Sequence, residues 1–150
     1  NKNNLIFEPK ADELGKYVGF VYLITERDTG KKYIGKKFFW SKRRLPPLKG
    51  KSRKRTVVKE SDWKDYYGSS ETLKILVEHK GGEAYYREIL HLCKTKGECS
   101  YLEAKEQFDR DVLLRDDYYN AFIGCKIHAK HLPKTLVKSG HQQEPWYNRP

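Results

Sequence analysis

Two tyrosines eleven residues apart, Tyr22 and Tyr33, lie in the stretch GFVYLITERDTGKKYIGKK (residues 19–37), and Lys36 and Lys37 follow closely behind the second. Phenols beside ammonium groups can hold a phosphate, because both donate hydrogen bonds and the cation neutralises its charge. The same residues also make an ordinary hairpin, with half-buried tyrosines packed on one face of a sheet. A second group of chemical side chains lies in CKIHAKH. There Cys125, His128 and His131 recur every three residues, and Cys93 or Cys99 could add a fourth ligand. That spacing is unlike the common zinc modules, and imidazoles in a basic tail more often meet phosphate or water.

Charge locates the phosphate partner. The chain has 150 residues and a formal net charge of +11. Thirteen lysines and arginines fall between residues 31 and 59 with no acid among them, so this segment holds the whole excess. Tyr33, Phe38, Phe39 and Trp40 are interleaved with the bases, and Gly and Pro fold the run back. The pattern favours a nucleic-acid footprint over a solvated face, with affinity supplied by counterion release. No run approaches the length of a membrane span and no signal peptide opens the chain, so the sequence reads as soluble and cytoplasmic, with no membrane partner. Three irregularly spaced cysteines make no disulfide framework. The length is that of one domain with its own core.

The elements that must position these groups follow from pattern. Residues 1–18, with Pro9, read as an arm. GFVYLITE (19–26) alternates as a strand, RDTGKK supplies turn chemistry, and KKYIGKK is the partner strand. KFFWSKRR (37–44) predicts a short helix stopped by LPPLKGK, and residues 45–60 a basic loop. Ser70 caps a helix that KGGE closes. AYYREILHLC (84–93) predicts a third strand. SYLEAKEQFDRDVLL predicts a helix opened by a Ser100–Glu103 capping box, with Tyr101, Ala104, Phe108 and Val112 as its apolar stripe. Residues 125–150 form a basic-aromatic tail with Trp146, Tyr147 and Arg149. The order predicts an α+β fold, a small three-stranded antiparallel sheet flanked by helices.

FVY followed after a turn by YIG resembles the two-part signature of the GIY-YIG nucleases, with Phe20 where that family usually has Gly and Gly19 displaced by one. Lys36 follows YIG, and Arg43 stands ten residues beyond Tyr33. The strand REIL, Glu106 in KEQF and Asn120 in DYYN then appear in the family's order. The resemblance spans residues 19–124, and SDWKDYYGSS with REIL is similar to small phage-encoded, homing-type members.

The resemblance implies a metal-dependent DNA endonuclease. Glu106 would hold Mg²⁺ or Mn²⁺, for which one carboxylate suffices when water and phosphate complete the shell. It falls opposite the expected apolar stripe, and Glu103 is occupied by its capping box. Tyr22 would activate water, with Lys36 and Arg43 lowering its pKa, and Tyr33 would orient that water or bind phosphate. Arg43, which only spacing favours over Arg44, would meet the non-bridging oxygens. Asn120 would complete the catalytic set, the structural alternative being that it only holds its turn by an Asx hydrogen bond. Lys37, Arg44, Lys49, Lys51, Arg53, Lys54 and Arg55 would grip double-stranded DNA, the chain acting as a monomer or as a dimer formed on DNA. Two rivals stand beside this reading. One is a nucleic-acid-binding module without catalysis, and the other a nuclease with a His-metal centre at His128.

Overall fold

The computed structural model describes residues 15–124, 126 and 129–133. The arm up to residue 14, Cys125, His128, Trp146, Tyr147 and Arg149 lie outside the described residues. The elements run β1 (Gly19–Glu26), β2 (Lys32–Phe38), β3 (Trp40–Leu45), β4 (Arg55–Glu60), α1 (Glu71–Lys80), β5 (Tyr85–Cys93) and α2 (Lys96–Asp109).

All eight residues of GFVYLITE are buried, because β1 is the middle strand of an antiparallel sheet ordered β2-β1-β5. Strand alternation then builds a core on each face. Phe20, Tyr22 and Ile24 pack with Phe39, Trp63, Leu73 and Tyr85 on the side of α1, whereas Val21 and Leu23 meet Ile34, Cys93, Cys99 and Val112 on the side of α2. Gly19 allows close pairing. A Cβ there would lie 2.6 Å from the Lys37 carbonyl oxygen, so the glycine displaced from the signature is required by β2. Phe20, in its place, fills the core against Phe39 with ring centroids 5.0 Å apart. The three-stranded α+β architecture read from the sequence is present. Ser70 caps α1 by accepting from the Leu73 amide, and Gly81 ends it at φ 85°. Among the described residues no helix is long and apolar enough to cross a membrane.

Two expectations are corrected. Residues 37–44 are not helical, and residues 45–60 are not all loop: the chain turns at the buried Phe39, and β3 pairs antiparallel with β4 in a separate two-stranded ribbon. Thr56, Val57 and Val58 favour a strand, and an extended backbone sends Lys42, Arg43 and Arg44 to alternate faces instead of crowding their charges.

The second correction concerns the start of α2. Thr95 is the N-cap, its hydroxyl accepting from the Glu98 amide at 3.0 Å, while the Glu98 carboxylate accepts from the Lys94 amide at 3.2 Å. TKGE thus supplies the capping residues, one turn before Ser100 and Glu103, which lie inside the helix. The expected stripe is displaced with it. Ala104 is buried as expected, but Tyr101 and Phe108 are exposed, and the helix buries Cys99 and Gln107 in their place. Val112 reaches the core from beyond the helix end.

Candidate active site

β2 is an edge strand, and its free edge is closed by the DYYN segment. The Lys32 amide donates to the Asp117 carbonyl at 2.9 Å, and the Tyr119 amide to the Lys32 carbonyl at 2.7 Å. Asn120 then caps the edge from both sides: its Oδ1 accepts from the Ile34 amide at 3.0 Å, and its Nδ2 donates to the Ile34 carbonyl at 2.8 Å. This segment is held by a buried carboxylate at the end of β1. Glu26 accepts from Tyr119 Oη at 2.6 Å and is paired with Lys80. Burial pushes its carboxyl up, but the bonds from Lys80 and Tyr119 outweigh that and hold it below the usual carboxylate range.

The two tyrosines stack side by side across Gly35, with ring centroids 6.3 Å apart. Tyr22 pairs with Gly35 in register, and a Cβ at Gly35 would lie 2.3 Å from the Tyr22 hydroxyl. Only glycine leaves room for the phenol, which gives the last residue of YIG a steric reason. Gly68, at φ 96°, lies against the other side, where a Cβ would sit 2.9 Å from the Tyr33 ring. Both are buried, Tyr22 1% and Tyr33 9% exposed, and Tyr33 hydrogen-bonds Ser69 across 3.0 Å. Burial pushes both phenols up, Tyr22 further, so the expected lowering by nearby cations is reversed in the protein alone. Desolvation of a phenolate outweighs what surrounding cations return.

Tyr33 opens into a cleft of about 590 Å³ whose lining includes Lys36, Ser70, Glu103, Gln107 and Asn120. Lys36, one residue past Gly35, points to the α2 side. Its ammonium donates to Ser100 Oγ at 2.7 Å and lies 3.8 Å from a Glu103 carboxylate oxygen. The Glu103 side chain is 14% exposed. Burial pushes its carboxyl up, and Lys36 offsets part of that. One turn on, Gln107 Nε2 donates to the Ile34 carbonyl at 3.2 Å, leaving the buried Oε1 without a partner among the described residues. The N-terminus of α1 borders the same cleft and offers the partial positive charge of a helix start.

Glu106 lies elsewhere. Its carboxylate is bound by His91 Nε2 at 2.8 Å and Arg110 Nε at 2.9 Å. Burial pushes it up, but these two partners outweigh burial and hold it below the usual range. It is absent from the cleft lining. Three residues along a helix separate a carboxylate facing the cleft from one engaged in an ion-pair network.

Against this geometry, residues 5–123 match the family model described as "Putative endonuclease segE, GIY-YIG domain". The chain belongs to the GIY-YIG endonuclease family. It is thereby an endonuclease domain, a hydrolase of phosphodiester bonds. None of the curated proteins and none of the solved structures compared with it matches.

The GIY-YIG signature residues converge on one edge, Tyr22 and Gly35 beneath and Tyr33 and Lys36 in the cleft, with Asn120 closing it. Arg43 does not join them. It lies on β3 of the exposed ribbon, with Arg44, and the tip and β4 carry Lys49, Lys51, Arg53, Lys54 and Arg55. Lys37 turns to the α1 side, 2.7 Å from an Asp62 oxygen and 4.0 Å over the Tyr66 ring. The sequence reading assigns Glu103 to a capping box and gives Gln107 and Ser69 no role in the site. The signal for the first two was in TKGE, since a cap at Thr95 frees Ser100 and Glu103 from capping, and their spacing with Gln107 puts the three on one helix face.

Proposed function

We propose that the chain is a metal-dependent endonuclease acting on double-stranded DNA, with the phosphodiester seated in the cleft along β2 and Glu103, not Glu106, as the protein's carboxylate ligand to Mg²⁺ or Mn²⁺. The observation that carries this reading is Glu103 itself, a shielded carboxylate opposite Lys36 beside the Tyr33 hydroxyl. The donor set suits a hard divalent cation: the Glu103 carboxylate and the orphaned Gln107 Oε1 are oxygens one helical turn apart in the same cleft. When bound there, such a cation supplies charge neutralisation at the phosphate.

The chain's own groups do the rest. Lys36 directs its ammonium at the phosphate oxygens, held by Ser100. Tyr33, kept protonated by burial and aligned by Ser69, donates a hydrogen bond to a phosphate oxygen or to the attacking water. Tyr22, enclosed between Gly35 and Gly68, keeps Tyr33 in place. The amides at the start of α1 add donors for a second phosphate. Arg43, Arg44 and the basic tip bind the duplex outside the cleft. A single site gives a nick, and a double-strand break requires two successive cuts or a dimer formed on DNA. The setting in which we place this activity is that of phage homing or DNA-degrading nucleases.

Incubation of supercoiled plasmid with the protein and Mg²⁺ tests the reading. The wild type yields nicked circles and then linear DNA, chelation stops it, and Glu103→Ala binds DNA without cutting. Binding without any cutting by the wild type, across several DNA forms and with Mn²⁺ as well, would leave the non-catalytic module as the better account.

A further inference from the structure

The ribbon of β3 and β4 takes no part in the cleft, yet it is built into the fold. A two-stranded ribbon buries little of its own surface and is marginal alone, and here nearly every residue of both strands is exposed. Its root is fixed. Phe39 is fully buried, the Ser61 amide donates to the Phe39 carbonyl at 2.8 Å, and Trp63 Nε1 donates to the Glu60 carboxylate at 2.9 Å. Nine lysines and arginines lie between residues 42 and 59 without an acid. At the tip, Gly50 at φ 83° closes a turn in which the Lys51 amide donates to the Leu48 carbonyl at 2.9 Å.

Register sorts the ribbon into two faces. Trp40–Glu60, at the root, shares its face with Lys42–Val58 and Arg44–Thr56, and this face starts against the core. The other face, Ser41–Lys59, Arg43–Val57 and Leu45–Arg55, turns away from it. Two exposed strand edges could instead invite a protein strand, but Lys42, Arg43 and Arg44 along β3, with Arg55 and Lys59 flanking the centre of β4, oppose such pairing. A polyanion is the matching occupant. The strands are six residues each, roughly 20 Å long and about 4.8 Å apart, which with side chains suits a major groove about 12 Å wide and not a minor groove of about 6 Å.

We propose that the β3–β4 ribbon is the sequence-reading element of this nuclease, laid in the major groove with its Arg43–Val57 face on the base edges and its tip on the phosphates. This rests on the nuclease reading above and deepens it. An arginine fork matches the N7 and O6 of guanine, and a valine suits a thymine methyl. The reach is limited. Arg43 is seven residues from Lys36, at most roughly 23 Å of extended chain, so with the reach of the two side chains the guanines read lie within about one helical turn of the cut.

Substrates carrying 7-deazaguanine, which lacks only the major-groove N7, test this. Binding is measured in EDTA, so that it does not depend on cutting, and cut positions are mapped separately with Mg²⁺. Bound duplex should lose about tenfold or more in affinity on 7-deaza substitution, the preferred cut positions should fade, and netropsin in the minor groove should do neither. Arg43→Ala should show the same loss on ordinary DNA and little further loss on the 7-deaza form. Equal binding to both DNAs, inhibition by netropsin, or tighter binding to duplex RNA would overturn the ribbon's role while leaving plasmid nicking intact. Conversely, a 7-deaza penalty in binding with no cutting by the wild type would sink the nuclease reading and keep the ribbon.

Discussion

β2 leads at its start into the cleft and at its end into the ribbon, and the two regions are built to meet a polyanion in opposite ways. In the cleft most polar groups are held, the buried Gln107 Oε1 excepted. Asn120 bonds both backbone groups of Ile34, Ser100 takes Lys36, and Ser69 takes Tyr33. On the ribbon no acid of the described residues pairs with a cation, and both faces are open to solvent. Fixed groups in a shielded place act on charge that develops in a transition state, because they need not reorganise. Exposed, unpaired cations act at a distance and add affinity that salt removes. Chemistry and grip are therefore separable here.

The largest effect should come from the cleft. Glu103→Gln keeps the shape and removes the charge, and it should lower the cutting rate by roughly two to three orders of magnitude with duplex binding unchanged. Glu106→Gln should stay within a few-fold, since its carboxylate serves Arg110 and His91. The pH profile sharpens the point. The Glu103 carboxyl is pushed up, so in the free protein it holds its proton to higher pH than an ordinary carboxylate. Cutting should rise with pH through that raised value and then level, and Glu103→Gln should lose this limb. A dead Glu106→Gln beside an active Glu103→Gln would reverse the assignment.

A smaller effect separates the two phenols. Tyr33→Phe, which removes the hydroxyl facing the cleft, should slow cutting by roughly a hundredfold. Tyr22→Phe should leave the rate within a few-fold, because that hydroxyl lies beneath Gly35, away from substrate. Single-turnover cutting rates decide it, and equal losses in the two variants would place Tyr22 in contact with the reacting groups.

On the ribbon side the expected change lies in salt dependence. Replacing Lys49, Lys51, Arg53 and Lys54 together by Ala should weaken duplex binding about tenfold near physiological salt and reduce the slope of log affinity against log salt by roughly three to four. The cutting rate at saturating DNA should be retained. If that rate falls as far as it does in Glu103→Gln, the tip belongs to the chemistry, and the separation fails.

The parts of this arrangement that local pattern controls were legible in the sequence. The alternation of GFVYLITE, the turn at Gly30, the Ser70 cap and the chemical types in YIGK give the sheet, α1 and one edge of the cleft, because each depends on near neighbours. Two things were not legible. The ribbon was hidden because its strands are nearly all exposed, so neither shows the buried alternation by which a strand is recognised, and three consecutive cations at 42–44 mask the β-branched run at 56–58 that pairs with them. Glu103 was hidden by a competing cap. Both TKGE and SYLE fit the same four-residue pattern, and only the packing of Cys99, Ala104 and Gln107 on the sheet chooses between them.

That choice is open to a direct, if small, measurement. If Thr95 is the cap, Thr95→Ala removes the acceptor for the Glu98 amide and should lower unfolding stability by about 1 kcal/mol, within the usual range for a lost N-cap. Ser100→Ala should then cost a few tenths at most, since an interior helical Ser gains helix propensity on becoming Ala. Its cost should fall instead on cutting, through Lys36, which donates to Ser100. Were the cap at Ser100, the two stabilities would exchange, and the helical phase would return Glu103 to the capping box. Denaturant midpoints of the two variants, read beside their cutting rates, therefore report whether the Ser100 hydroxyl serves the helix end or Lys36.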